Sequence, residues 1–380
     1  KNHKLLFASE LKVLLEHPEI NPTINRNAIS DYLTYLYVPA PETIFNEIKK
    51  LRPAEILVFN LDGNFFTKRY WNVEFQNSKQ DEGDCAKQLR NLLEESIDLR
   101  MVSDVPVGIL LSSGIDSSLV ATLATKKSDD KLNTYTVGFE DIADSSYDEL
   151  KESRDMANIL GTDHHEIIVN SNDAFKLLDK VSWYLDEPFG NPTTTLNYII
   201  SEFASRTSKV VLSGVGGDEM FGGYPKYKAL KIFKDFEKFP KSFVKKFGTV
   251  FQKLPDKTSE SVVKGKIFFD SWKDNPEDQY FSLVSYFKEH DKQELLNFKS
   301  LPSRRVIDEL FLESKKCNAS SFFEKLFFVE NMSYLPNNIL EYTDKTSMAV
   351  SLEVREPLLD HKLAEFAANI PFSLKIKNNS

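Results

Sequence analysis

The feature that most constrains the fold is a regular alternation of helical segments with short apolar runs of strand length, between about residues 85 and 212. Cys85–Met101 carries apolar residues at helical spacing, and Val105–Leu111 is a continuous apolar run. The same alternation then predicts helices at Ser117–Ala124, Tyr147–Leu160 and Leu196–Arg206, and strands at Thr134–Phe139, His164–Val169 and Lys209–Leu212. This order is typical of an α/β fold, in which right-handed crossovers build a parallel sheet with helices on both faces.

The first 75 residues follow a different pattern. The sequence predicts strands at Lys4–Ala8, Glu55–Asn60 and Asn64–Tyr70, and helices at Glu10–Leu15 and Ala28–Tyr37. Asp62-Gly63 is a typical hairpin turn, so this segment is expected to be antiparallel. The polar stretch Gln76–Asp84 is the best candidate linker, which places a boundary near residue 80. We therefore predict two domains, 1–80 and 81–380.

Residues from Tyr224 to Lys325 are rich in Lys and Phe and show helical periodicity without a recognisable motif. We expect helices there that cover the sheet. The pairs Phe322-Phe323 and Phe327-Phe328 have the spacing of core residues.

Composition excludes several classes of function. A formal charge of −9 argues against a nucleic-acid surface, which needs clustered Lys and Arg. No apolar run is long enough to span a bilayer, so no membrane partner is expected. Cys85 and Cys317 are the only cysteines and lack metal-site spacing, which indicates a reducing cytoplasm. The chain starts without an initiator Met, and we expect its true beginning to lie upstream.

A first candidate site follows the apolar run Val105–Leu111, where Ser112-Ser113-Gly114-Ile115-Asp116-Ser117-Ser118 leads into a helix predicted to begin at about Ser117. Turn amides and the free N–H groups of a helix start favour an anion, and serine hydroxyls add donors. Asp116 offers a carboxylate that suits Mg²⁺. The alternative is that Asp116 or Ser117 simply caps the helix. The turn is neither a Walker A loop nor a Rossmann fingerprint.

A second candidate site follows Lys209–Leu212 and reads Ser213-Gly214-Val215-Gly216-Gly217-Asp218-Glu219. In parallel sheets ligands bind at the carboxyl ends of the strands, where both clusters are expected to lie. Asp218 or Glu219 would then complete a metal pair with Asp116. A plain glycine-rich turn with a capping Asp is the alternative. The adjacent His164 and His165 are expected to be structural, because neighbours on a strand point to opposite faces.

These motifs carry a resemblance to a known family. Ser112–Ser118 resembles the Ser-Gly-Gly-x-Asp-Ser pyrophosphate loop of the ATP pyrophosphatases. With Ser213–Tyr224, the chain is similar to the glutamine-hydrolysing asparagine synthetases. Further matching stretches are Leu5–Glu10, Tyr37–Phe45, Tyr135–Phe139, Leu160–Glu166, Asp186–Phe189, Asp344–Ala349 and Leu352–His361.

The resemblance implies an adenine nucleotide alpha hydrolase-like sheet, preceded by the last part of an Ntn-type glutaminase domain. It implies a ligase that forms a carbon–nitrogen bond: a carboxylate such as aspartate attacks the α-phosphorus of ATP, and glutamine-derived ammonia then displaces AMP. The residues it assigns to ATP are Leu110, Ser112, Ser113, Gly114, Asp116, Ser117, Ser118, Val137, Ser213 and Gly214. It assigns Mg²⁺ to Asp116 and Asp218, and places Lys345 and Arg355 near the carboxylate or phosphates. A homodimer is left open.

The sequence also departs from the family pattern. Ser113 replaces a glycine of the phosphate loop, and Val215 replaces the acidic residue expected to act as general base for ammonia. No amino-terminal Cys for glutamine hydrolysis is present, and the chain ends before a basic segment of the family. Three readings stay open: asparagine formation, amidation of another acceptor, and an inactive nucleotide-binding homologue.

Overall fold

The structure, a computed structural model, describes residues 4–76, 80–140, 149–236, 249, 265–266 and 268–377. Its strands are β1 (Glu55–Phe59), β2 (Phe65–Arg69), β3 (Val107–Leu110), β4 (Asn133–Phe139), β5 (Asp163–Val169), β6 (Val210–Leu212) and β7 (Glu353–Arg355).

The helices form a longer set. They are α1 (Leu11–Leu15), α2 (Arg26–Tyr35), α3 (Glu82–Met101), α4 (Ile115–Lys127), α5 (Leu150–Leu160), α6 (Ser171–Lys176), α7 (Leu178–Leu185), α8 (Thr193–Ala204), α9 (Gly217–Phe221), α10 (Pro225–Phe236), α11 (Pro276–Val284), α12 (Glu289–Leu295), α13 (Arg304–Ser314), α14 (Phe322–Met332), α15 (Glu341–Met348), α16 (His361–Asn369) and α17 (Phe372–Lys375). A π-helical segment, Leu335–Leu340, precedes α15, and 3₁₀ turns lie at Lys315–Cys317 and Pro357–Leu359.

The main sheet has five strands in the order β5-β4-β3-β6-β7, and all pairings are parallel. This confirms the predicted parallel sheet, and the four strands predicted between residues 105 and 212 all form. The fifth strand, β7, was not predicted. It is only three residues long and contains two charged residues, so it lacks the apolar run that identified the others.

Both faces of the sheet are buried by helices. The larger of the hydrophobic cores lies on one face of the sheet. Val210 and Leu212 of β6 belong to it, together with Ile97 of α3 and Val120 of α4. The intervening Val211 faces a second core that contains Ile200 and Ala204 of α8. Alternate residues of a strand point to opposite faces, so an uninterrupted apolar run such as Val210–Leu212 is what a sheet covered on both sides requires.

The amino-terminal segment contains the predicted hairpin. β1 and β2 pair antiparallel, and Gly63 adopts φ +87° in the turn between them. The predicted strand at Lys4–Ala8 was wrong. A strand needs a neighbour for its backbone groups, and among the described residues this stretch pairs with none, while Phe7 is 86% exposed.

The segment before residue 80 packs on the rest of the chain through specific polar contacts. The Tyr35 hydroxyl donates to the Ser303 carbonyl at 2.6 Å, and Lys50 pairs with the buried Glu187. Asp186, whose φ is +70°, accepts from the Leu11 amide and pairs with both Lys12 and Lys345. The segment is therefore attached by buried ion pairs as well as by apolar contact.

The described part of the region from Tyr224 to Lys325 contains α10 to α13 and the start of α14, joined by loops, and much of 237–267 lies outside the described residues. Phe323, Phe327 and Phe328 are buried in the larger core, which confirms their assignment as core residues. Among the helices that the structure describes, none has both the length and the apolar character needed to cross a membrane.

The packing of α3 on the sheet predicts a large stability difference between two isoleucines. Ile97→Ala removes a side chain that is 0% exposed and should cost about 2–5 kcal/mol in the free energy of unfolding, because it leaves a cavity. The same change at Ile159 of α5, which is 80% exposed, should cost less than about 1 kcal/mol. Denaturant unfolding of both variants measures this, and equal losses would contradict the assigned core.

Candidate active site

Two loops meet at the carboxyl edge of the main sheet. Ile109 of β3 is in register with Leu212 of β6, so the loops that begin at Ser112 and Ser213 emerge from adjacent strands. The predicted juxtaposition of the two clusters is therefore present in the fold.

The first loop is held by the hydroxyl of Ser117. Its Oγ accepts from the Ser112 amide at 3.1 Å, lies 2.7 Å from the Ser112 Oγ and lies 3.2 Å from the Gly114 carbonyl. Gly114 is the N-cap of α4, which begins at Ile115 and thus two residues earlier than predicted. Since the cap has no side chain, the alternative in which Asp116 or Ser117 merely caps the helix is wrong.

The start of α4 is open to an anion. Among the described residues no side chain caps this 13-residue helix, so that part of the chain offers the first-turn amides no side-chain acceptor. The Ser113 amide donates to the Glu149 carboxylate at 3.2 Å, which shows that this N–H faces an anionic oxygen. Turn amides and a helix start directed at one place are the physical basis of a phosphate site.

The second loop lies directly on the first. A Cβ at Gly214 would stand 2.5 Å from the Ser117 nitrogen, and a Cβ at Gly217 would overlap the Asp116 carboxylate. Gly216 has φ +104°, a conformation that favours glycine, and its missing Cβ leaves room for Leu359. The glycines of this loop are therefore needed for the close approach of the two loops.

Asp116 and Asp218 form a pair of half-buried carboxylates. Within the residues that the structure describes, neither side chain makes a hydrogen bond or an ion pair. Burial raises the pKa of Asp116, and the nearby Asp218 charge raises it further. Burial also raises the pKa of Asp218, although Lys226 opposes the shift. Two carboxylates that repel each other without a partner suit a divalent cation.

The described residues contain no cluster of three or more side chains that would hold a metal by itself. Mg²⁺ is usually bound by one or two carboxylates together with substrate phosphates and water. Glu219, the other acidic candidate, does not join the pair. It is buried and accepts from the Tyr224 hydroxyl at 2.5 Å.

Three of the residues that the resemblance assigns to ATP, Leu110, Val137 and Ser213, lie on one face of the sheet. Leu110 and Val137 both pack against the second core, the one formed with α8. Ser213 is buried at the end of β6, and its Oγ accepts from the Val215 amide at 3.2 Å. Gly214 follows Ser213, so these four residues lie at or near the carboxyl ends of β3, β4 and β6.

The two predicted cations are placed differently. Lys345 lies on α15 and pairs with Asp186 at 2.9 Å and Glu341 at 3.1 Å, and these partners raise its pKa although burial lowers it. Arg355 donates to Glu353 and to the carbonyls of Arg100 and Val102. These contacts hold the Arg355 guanidinium against the end of α3, on the face of the sheet opposite Leu110 and Val137, while the Arg355 carbonyl accepts from the Ser213 amide at 3.0 Å.

One acidic residue at this edge was missed by sequence reasoning. Glu356 directly follows β7, and burial together with the nearby Asp344 raises its pKa to about 7. Its position depends on the short strand that the sequence did not reveal. The signal available was only the acidic residue next to Arg355 in the stretch Glu353–Pro357.

Both parts of the chain match models of known protein families. Residues 88–380 match the family model described as asparagine synthase. The chain belongs to the asparagine synthase family. Residues 1–71 match the model of a glutamine amidotransferase domain.

Three curated relatives illustrate the range of similarity within this family. Asparagine synthetase [glutamine-hydrolyzing] 1 of Bacillus subtilis is 32% identical over 100% of this chain and 58% of its own length. A putative asparagine synthetase 2 of Methanocaldococcus jannaschii is 37% identical over 58% of this chain and 43% of its own. Amidase chry2 of Gibberella zeae is 25% identical over 89% of this chain and 54% of its own. The chain thus spans between 43% and 58% of the length of these relatives.

The carboxylate pair predicts a change in titration. Asp218→Asn removes the neighbouring charge, so the pKa of Asp116 should fall while staying above the ordinary value, because burial remains. Carboxyl chemical shifts in protein with ¹³C-labelled aspartate would follow the titration. The exposed Asp62, whose pKa hydrogen bonds from Asn64 lower, is the internal control and should not move. An unchanged Asp116 titration would show that the two carboxylates do not interact.

Proposed function

We propose that this protein is an ATP-dependent amidotransferase that adenylates a carboxylate and transfers ammonia from glutamine to it. The observation that carries the proposal is the unpartnered Asp116–Asp218 pair beside the uncapped start of α4. An anion-binding helix start and a cation-binding carboxylate pair side by side are what a metal-bound polyphosphate requires.

In this proposal the Ser112–Ser118 loop binds the β- and γ-phosphates. Ser112, Ser113, Gly114, Ser117 and Ser118 supply amides and hydroxyls. Asp116 and Asp218 hold Mg²⁺, which when bound neutralises phosphate charge as pyrophosphate leaves. Leu110, Val137, Ser213 and Gly214 line the adenosine, so the α-phosphorus lies between the two loops. Positioning and charge neutralisation then carry most of the rate enhancement.

We assign Lys345 and Arg355 a structural role at the carboxyl edge of the main sheet. Lys345 ties α15 to Asp186, and Asp186 also binds Lys12 of the amino-terminal segment. Arg355 fastens β7 to the end of α3 through two carbonyls. Arg suits several simultaneous contacts and Lys a single point charge.

Glutamine is the proposed nitrogen source, because residues 1–71 match a glutamine amidotransferase domain. The acceptor is a carboxylate, and aspartate is the first choice because two of the three relatives above are named asparagine synthetases. Val215 supports a second candidate of the same class, amidation of another acceptor, since it removes the acidic residue expected after Gly214. An inactive nucleotide-binding homologue is the third.

Two aspartates at opposite ends of one helix test the phosphate site. Asp116→Ala removes half of the carboxylate pair and should weaken Mg²⁺-ATP binding at least tenfold, because one of the two proposed carboxylate ligands of Mg²⁺ is lost. Asp129→Ala, an exposed position just after α4, should leave affinity unchanged. Titration calorimetry in the presence and absence of Mg²⁺ measures both. Equal affinities of the Asp116→Ala variant and wild type would contradict the loop assignment.

The products of ATP cleavage separate the three candidates. The full-length protein with ATP, Mg²⁺, ammonium chloride and a panel of carboxylates should release AMP and pyrophosphate with at least one acceptor. Release with L-aspartate supports asparagine formation, and release only with another acid supports the second candidate. ATP binding without release for any acid would establish the inactive homologue.

A further inference from the structure

Glu356 lies in one row with two residues of the proposed nucleotide site. The parallel register joins Ile109 of β3, Leu212 of β6 and Arg355 of β7. One residue further along, Leu110, Ser213 and Glu356 therefore stand side by side across three adjacent strands. The amide of Ser213 donates to the Arg355 carbonyl at 3.0 Å, so the β6–β7 ladder continues to this row.

The Glu356 side chain points to the same face as the adenosine residues. Its backbone is extended, with φ −110° and ψ 93°, so the alternation of the strand continues through it. Val354, two residues earlier, packs in the second core with Leu110 and Val137. With strands about 4.8 Å apart, Glu356 lies about 5 Å beyond Ser213 on the side away from Leu110. Glu356 therefore borders this row of strand-end residues on the β7 side.

The carboxylate of Glu356 is not used by the fold. It is half-buried, and among the described residues no other residue donates a hydrogen bond to it or forms an ion pair with it. The charged groups that act on it are Asp344 of α15, which raises its pKa, and Arg100 of α3, which lowers it. Arg100 itself is bound by Asp360 and Ser96. A desolvated carboxylate without a structural partner fits a role in chemistry.

Val215, by contrast, contributes to the packing of the fold. Its side chain packs against the larger core, and its amide donates to the Ser213 hydroxyl. The loop of β6 therefore presents no proton acceptor between Gly214 and Gly216. In the row that contains Leu110 and Ser213, the next position is occupied by the acidic residue Glu356, directly after β7.

We propose that Glu356 is the proton acceptor for the incoming ammonia, and that it replaces from β7 the acid that the β6 loop lacks at Val215. This inference rests on the proposed function. Ammonia attacks the acyl carbon of the acyl-adenylate, the nitrogen–carbon bond forms, and Glu356 takes one proton from the nitrogen. The carbon–oxygen bond to AMP then breaks, giving amide, AMP and a protonated Glu356. A pKa near 7 suits this task, because such a group is ionised in part at neutral pH and still holds a proton well.

The test separates adenylation from amide formation. Adenylation is followed by acceptor-dependent exchange of labelled pyrophosphate into ATP without ammonia, using L-aspartate first and otherwise the acceptor that supports pyrophosphate release. Amide formation is followed with ammonium chloride. Glu356→Gln should keep exchange within threefold and lose amide formation by at least about 100-fold, the usual contribution of a general base. Glu356→Asp should recover at least tenfold over the Gln variant, and Glu16→Gln, an exposed control, should match wild type.

The pH profile gives an independent readout. At a constant concentration of unprotonated ammonia, amide formation by wild type should rise with pH through about 7, because the carboxylate form of Glu356 accumulates there. The Gln variant should lack this limb.

Two results would overturn the inference. Amide formation retained within threefold in Glu356→Gln would show that the carboxylate is not the proton acceptor. An equal loss of exchange and amide formation would place Glu356 in nucleotide or acceptor binding instead. Absence of exchange in wild type with every acceptor would refute the proposed function itself, a distinct outcome.

Discussion

The whole site depends on the contact between two backbones at the carboxyl edge of the sheet. Gly214 lies so close to Ser117 that a Cβ would stand 2.5 Å from the Ser117 nitrogen, and Gly217 lies against the Asp116 carboxylate. Only residues without side chains permit this approach. It brings Asp116 and Asp218 together from two strands and leaves the start of α4 facing the same place.

The other positions at this edge are set by the register of the parallel sheet. The register of β3, β6 and β7 places Leu110, Ser213 and Glu356 in one row, and the buried helices on both faces keep that register fixed. The edge thus combines positions from three adjacent strands.

The sequence allowed much of this to be predicted, because strands such as Val210–Leu212 are apolar on both faces and the loops that follow them are rich in glycine and serine. The parallel sheet predicted that Asp116 would lie near Asp218 or Glu219, and the family resemblance selected Asp218. What escaped prediction was β7, whose three residues include Glu353 and Arg355 and show no apolar run. The direction of Arg355 and the place of Glu356 escaped with it, since both depend on a pairing between residues more than 140 positions apart.

The most direct test of the central claim is to follow an oxygen atom of the acceptor. If the edge directs a carboxylate onto the α-phosphorus of ATP, an acceptor labelled with ¹⁸O in its carboxylate should transfer one labelled oxygen to AMP during amide formation. Phosphorus NMR or mass spectrometry of the nucleotide product detects this transfer. We predict AMP carrying one ¹⁸O from the acceptor. Unlabelled AMP, or ADP with inorganic phosphate as the products, would contradict the account.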